Sequence, residues 1–235
     1  MGQRKASYRH TAYDDAFRTI EQECDDALIH FVNQMFGEKY KLDAKIDRLR
    51  NEHYTRDMGG KTRRRVTDSH FRIEYRGISK NYHLECESQG YSDEILFRMF
   101  EYDVSQSTAE GHENKLIVRI PISGLLVLSH TQNAPDHMIY DIETPGGKLE
   151  YRVPVVRMWD YSLNDIFDKQ LYFLIPFYFF NEKNRFLEYN RDKKALKKFE
   201  RTYTEIIRRL WKVRNTKLSD RSKRVIIRQM ESVVN

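Results

Sequence analysis

Apolar residues recur at helical spacing near the start of the chain. Phe17, Ile20, Cys24, Leu28, Phe31 and Met35 form one stripe, and Gly37 follows as a C-terminal stop. The spacing predicts one long amphipathic helix over residues 12–36. The segment KIDRLRNEHYTRD that follows carries Ile46, Leu49 and Tyr54 in a polar background and reads as an edge-like strand. MGGKT (58–62) is a turn. RRRVTDSHFRIEYRG then alternates. Thr67, Ser69, Phe71, Ile73 and Tyr75 share one face, and Val66, Asp68, His70 and Arg72 the other. GISKN (77–81) reads as a hairpin connection. The third strand is YHLECESQG (82–90), with Tyr82, Leu84, Cys86 and Ser88 on one side and His83, Glu85, Glu87 and Gln89 on the other.

After Gly90 the period becomes helical again. Ile95, Met99 and Tyr102 predict a helix over 92–105 with Ser92 as its N-cap. Pro121 argues against one unbroken central strand through KLIVRIPISGLLVLSH, so the sheet strand is placed at 124–129. Residues 137–156 read as a hairpin turning at ETPGGK. Residues 163–181 hold an aromatic run expected to be core or subunit interface. A long helix is predicted over 186–213, and Ser219 is expected to cap a last one carrying Val225, Ile226, Met230 and Val233. The pattern gives an α/β protein whose order through residue 130 is helix, three strands, helix, strand, with an added hairpin and C-terminal helices.

Composition narrows the class. At 235 residues the chain is long enough for a substantial core, and 15 Tyr and 13 Phe mark a folded protein. With 41 Lys and Arg against 35 Asp and Glu the net charge is +6, which admits a nucleic-acid partner without requiring one. Cys24 and Cys86 make neither a disulfide framework nor a zinc motif. MGQRKASYRH has no apolar signal core, and LYFLIPFYFF (171–180) is too short, and too interrupted by Pro176, to span a bilayer. A cytoplasmic protein without membrane contact or organic cofactor is expected.

The strands raise the chemistry. If the second and third pair across 77–81, Asp68, Glu85 and Glu87 converge. Three close carboxylates repel one another, and a hard divalent cation with oxygen ligands and retained waters removes the conflict. D-x(16)-E-x-E is a common spacing in a chain with 35 acidic residues, so by itself it favours a solvated polar strand face, paired with Arg72 or Lys80.

The order of elements around those acids resembles the PD-(D/E)XK nuclease superfamily, most closely its bacterial branch of recombination-promoting nucleases and putative transposases. The stretches that carry the resemblance are YDDAFRT (13–19), NEHYTRD (51–57), RRVTDSHF (64–71), YHLECES (82–88), LFRMFEYD (96–103) and LYFLIPFY (171–178). The resemblance implies a restriction-endonuclease-like core in residues 1–180, with residues 181–235 as a basic helical extension packed on it. It implies Mg²⁺- or Mn²⁺-dependent cleavage of DNA, linked to recombination or a mobile element. Asp68 and Glu85 take the two metal-ligand places. Glu87 stands where the superfamily has Lys and this branch often has Gln; it is either a third ligand or the mark of an inactive site. Asp15, with Asp14 and Glu21 behind it, is the matching first-helix acid. Lys61, Arg63, Arg64 and Arg65 lie just upstream of Asp68 and Arg98 on the following helix, placing five cations as candidate DNA phosphate contacts. A homodimer stays open, as does the alternative of a DNA-binding or assembly protein that keeps the fold without catalysis.

Overall fold

The structure, a computed structural model, describes residues 12–50, 52–56, 62–180 and 192–234; side chains are described for these apart from 52–56, 62–66 and 234. The expected first helix is two: α1 (Ala12–Glu23) and α2 (Asp25–Phe36). Cys24 leaves helical geometry at φ −123°, ψ 68°. The apolar stripe nevertheless runs on across the break, and Phe17, Ile20, Cys24, Leu28 and Phe31 are all buried in one core. Asp26, just past the break, is bound by the C-terminal part of the chain. Its carboxylate accepts from the Ser219 amide at 2.7 Å and the Ser222 hydroxyl at 2.5 Å. Gly37 ends α2 at φ 67°, a conformation that costs a residue with a Cβ and costs glycine little.

The strands are β1 (Lys45–Arg48), β2 (Glu52–Arg56), β3 (Thr62–Val66), β4 (Ser69–Tyr75), β5 (Ile78–Glu87), β6 (Thr108–His112), β7 (Lys115–Arg119), β8 (Ile122–Val127), β9 (His137–Thr144) and β10 (Gly147–Arg157). Six of them form one mixed sheet in the order β1-β4-β5-β8-β10-β9. β5 and β8 run parallel, as do β8 and β10; the other neighbours are antiparallel. The crossover from β5 to β8 contains α3 (Asp93–Gln106), which a parallel pair requires. Two-stranded ribbons, β2/β3 and β6/β7, stand apart from this sheet.

Two readings of the strands are corrected. The strand expected over 63–77 is broken at Thr67–Asp68, where the chain exchanges partners: β3 pairs with β2, whereas β4 pairs with β1 and β5. Buried Thr67 is held there by Gln106, whose side-chain amide donates to its hydroxyl at 2.9 Å. The connection expected over 77–81 is shorter. Arg76 and Gly77, at φ 51° and 75°, form a two-residue turn of the handedness that matches strand twist, and residues 78–81 belong to β5.

The sheet separates two apolar layers. On one side Leu84 and Cys86 of β5 and Leu126 of β8 pack with α1 and α2. On the other, Leu125 and Val127 meet Ile95 and Met99 of α3. This alternation follows from the period of two along a strand. The aromatic run is core: Phe173 and Phe177, in a 3-10 helix over Tyr172–Phe177, are fully buried, and Phe173 stacks on Phe31 with centroids 4.8 Å apart. Two further helices, α5 (Lys193–Lys212) and α6 (Asp220–Val234), follow a short α4 (Leu163–Asp168). Ile206, Leu210, Val225, Ile226 and Met230 join the same cluster as α1 and α2. Each such side chain contributes about 1.5–3 kcal/mol when fully buried, so the C-terminal helices are part of what holds α1 in place. No helix among the described residues is long and apolar enough to cross a membrane.

Candidate active site at the end of the central strand

The register β4 to β5 pairs Ser69 with Leu84, and one step further puts Asp68 opposite Glu85. Asp68 lies just outside the strand, so its carboxylate is not committed to either face of the sheet. The main-chain amide of Asp68 donates to Glu85 Oε1 at 2.9 Å, and the amide of Cys86 donates to Asp68 Oδ2 at 3.1 Å. Two carboxylates thus stand in for the ladder bonds that the strand break removes. Arg18 of α1 completes the arrangement, donating through Nη2 to Asp68 Oδ1 at 3.0 Å. Burial, and then the charge of Glu85, push the Asp68 carboxyl up to about 7, against the opposing pull of the Cys86 amide and Arg18.

Glu85 is anchored from behind. His83 is fully buried, its ring nitrogens 3.1 Å from Glu85 Oε1 and 2.7 Å from Asp103 Oδ1. Burial alone would lower the imidazole, but its hydrogen bonds to Asp103 and Glu85 outweigh that and raise it to about 9. At neutral pH both ring N–H groups therefore donate. Asp103 of α3 also accepts from Ser123 on β8 at 2.5 Å and from the Tyr151 hydroxyl on β10 at 3.0 Å. Four elements thereby fix the carboxylate of Glu85.

Glu87 lies one strand period beyond Glu85, on the same side of the sheet and buried. Its carboxylate accepts from Arg98 Nη2 at 2.8 Å and from the Gln89 amide at 2.7 Å. The structure thus brings Asp68 and Glu85 together and puts Glu87 on an arginine. Among the described residues no group of three or more His, Cys, Asp or Glu is assembled to hold a metal ion. The pair still has the chemistry of a cation site, because both donors are hard oxygens and a cation between them would remove the repulsion that raises Asp68. Waters would supply the remaining ligands.

Of the first-helix acids, Asp15 is exposed, and Glu21 is buried against Arg48 at 3.3 Å. Asp14 is half-buried, and its charge contributes to holding the Cys86 thiol well above its ordinary value, an effect led by burial and then by Asp68. Of the two neighbouring α1 acids, Asp14 is the one whose charge is felt at Cys86. Lys61 lies outside the described residues. Arg63, Arg64 and Arg65 lie on β3, in a ribbon that leads straight into Asp68; their side chains lie outside the description.

Sequence reasoning missed Arg18, Asp103, Ser123 and Tyr151. Arg18 looks like an ordinary helix cation, and Asp103 like an ordinary helix acid. The one usable signal was His83 on the same strand face as Glu85, since a buried imidazole beside a carboxylate needs a second acceptor. No protein-family model matches the chain, and comparison with curated proteins and with solved structures likewise finds no match.

Proposed function

We propose that the protein is a metal-dependent endodeoxyribonuclease with a restriction-endonuclease-like core, hydrolysing phosphodiester bonds in a recombination or mobile-element setting. The observation that carries this reading is the pair of partly buried Asp68 and buried Glu85 at the end of the central strand, where a six-stranded sheet and α3 hold two carboxylates together against their own repulsion. Asp68 and Glu85 would hold Mg²⁺ or Mn²⁺. The cation would supply an activated water and charge stabilisation on the phosphate. His83 keeps Glu85 oriented through its 3.1 Å contact to Oε1. Arg98, held by Glu87, supplies the positive charge that the strand position of Glu87 cannot. The β2/β3 ribbon, with Arg63, Arg64 and Arg65 beside Asp68, would run along the phosphate backbone.

A second reading has its own observation. Arg18 on Asp68 and Arg98 on Glu87 neutralise the acids without any metal, as in a protein that keeps the fold and has lost catalysis. Supercoiled plasmid incubated with Mg²⁺, Mn²⁺ or EDTA, beside Asp68→Ala and Glu85→Gln, separates the two. Metal-dependent nicking that both variants lose is expected. No nicking of double- or single-stranded DNA under any metal would leave the non-catalytic DNA-binding or assembly reading in its place.

A further inference from the structure

Away from the carboxylates, on the helical side of the molecule, lies a cleft of about 410 Å³. Arg209 and Lys212 from the last turn of α5, and Arg214 and Lys217 from the turn leading to α6, line it, with Phe167 of α4 and Tyr172 of the 3-10 helix. Four cations in so small a space repel one another, and no carboxylate lines the cleft among the described residues. Several cations near the cleft are paired. Arg208 pairs with Glu205, Lys223 with Asp220, and Lys169 with Asp165. Cations at a helix C-terminus gain from the helix dipole, which accounts for Arg209 and Lys212. It does not account for Arg214 and Lys217, which lie past the helix end.

The cleft is built rather than incidental. Arg209 is fixed, its guanidinium 4.1 Å from the Phe167 ring centroid and its Nη1 donating to Asn164 at 2.8 Å. The turn carrying Arg214 and Lys217 is tied down too. His30 of α2 lies 3.0 Å from the Lys217 carbonyl oxygen through Nε2, and Asp26 accepts from the Ser219 amide. The ring of His30 in turn meets that of Tyr172 edge-on at 5.9 Å. A preformed concave site with an aromatic floor and a cationic rim favours a ligand with a flat, weakly polar part and several negative charges.

We propose that this cleft binds a nucleotide, its phosphates among Arg209, Lys212, Arg214 and Lys217 and its base against the apolar floor. The nucleotide is either free or one unit of a nucleic-acid strand. The site is separate from the Asp68–Glu85 pair and does not depend on the nuclease reading.

Calorimetric titration of the full-length protein in EDTA with ADP, adenosine, pyrophosphate and a short oligothymidylate tests this. Saturable binding of ADP or of the oligomer is expected, with ADP at least tenfold tighter than either adenosine or pyrophosphate if the nucleotide is free. Binding by the oligomer alone assigns the site to a strand. The combined variant Lys212→Ala, Arg214→Ala, Lys217→Ala should weaken that binding at least tenfold; these side chains are exposed, so its thermal midpoint should stay near that of the parent protein. Arg119→Ala, an exposed change on the β6/β7 ribbon, should leave the affinity unchanged. The proposal is overturned if no nucleotide or oligomer binds, if pyrophosphate matches ADP without any oligomer binding, or if the triple variant binds as well as the parent.

Discussion

The carboxylate of Glu85 accepts a hydrogen bond from the main-chain amide of Asp68 at 2.9 Å, so each of the two acids is positioned by the other's segment of chain. The amide of Cys86 returns the contact to Asp68. The consequence is a site whose electrostatics and whose strand pairing cannot be altered separately.

Metal-free stability should therefore fall as pH rises. Asp68 titrates near 7 in the folded chain against an ordinary 3.8, so between about 4 and 7 the folded state holds more protons than the unfolded one. The stability that this proton confers is complete below about 4 and is lost as pH rises through about 7. His83, raised from 6.5 to about 9, acts in the same direction in the window above it. Thermal midpoints in EDTA across pH 4–9 should decline more steeply for the parent than for Asp68→Asn, whose midpoint should keep the decline due to His83. A parent curve that rises with pH would contradict the assignment.

Removing His83 should be expensive. His83→Ala leaves Asp103 and Glu85 buried without their shared cation, and breaking a buried pair costs about 3–5 kcal/mol. Urea denaturation should show this as a lower midpoint. Since the charges left behind cause the loss, Asp103→Asn combined with His83→Ala should cost less than the two single changes added together.

Arg18 bears on whether Asp68 is a ligand. A guanidinium on Asp68 Oδ1 competes with any cation there, so Arg18→Ala should tighten Mn²⁺ binding about tenfold, equivalent to about 1.4 kcal/mol. Titration followed by the paramagnetic signal of free Mn²⁺ reads this without reference to cleavage. Unchanged or absent Mn²⁺ binding in both proteins would count against a metal at this pair.

A packing test concerns the sheet itself. A Cβ on Gly124 of β8 would stand 2.3 Å from Met35 Cε and 2.9 Å from Phe36 Cζ, at the end of α2. Met35 can swing aside more readily than the ring of Phe36. Gly124→Ala should cost about 1–3 kcal/mol by overpacking. Chemical denaturation checks it, and an unchanged midpoint would mean that α2 and β8 lie further apart than described.

Burial patterns were legible in the sequence; backbone continuity was not. The stripe Phe17, Ile20, Cys24, Leu28, Phe31 is a true core face, yet it crosses a helix break, because periodicity records which side chains are buried and not whether each peptide stays helical. The alternation through residues 66–75 likewise passes over Thr67–Asp68, after which β4 begins with new partners. The β6/β7 ribbon gave no strand signal through 108–112, since that entire stretch is exposed and nothing apolar alternates along it. At the site, Asp68 and Glu85 were legible as residues one antiparallel step apart. Asp103 was not, because a lone acid on a polar helix becomes a buried partner only once the sheet is placed against it. Ser92 shows the limit of local rules: it occupies the N-cap position of α3, but its side chain makes no capping bond.

The packing of α6 on α1 sets an order of events during synthesis. Arg18, which holds Asp68, lies on a helix whose apolar face is closed by residues near position 230. As the chain leaves the ribosome at about 5–20 residues per second, α1 can meet the sheet and Phe173 first, but the part of its apolar face that α6 covers stays open until α6 emerges. The helix that carries Arg18 is therefore incompletely packed until then. Nascent chains should therefore depend on chaperones that shield Phe17 and Ile20, and premature termination before Asp220 should release a product that is degraded rather than one that is partly active.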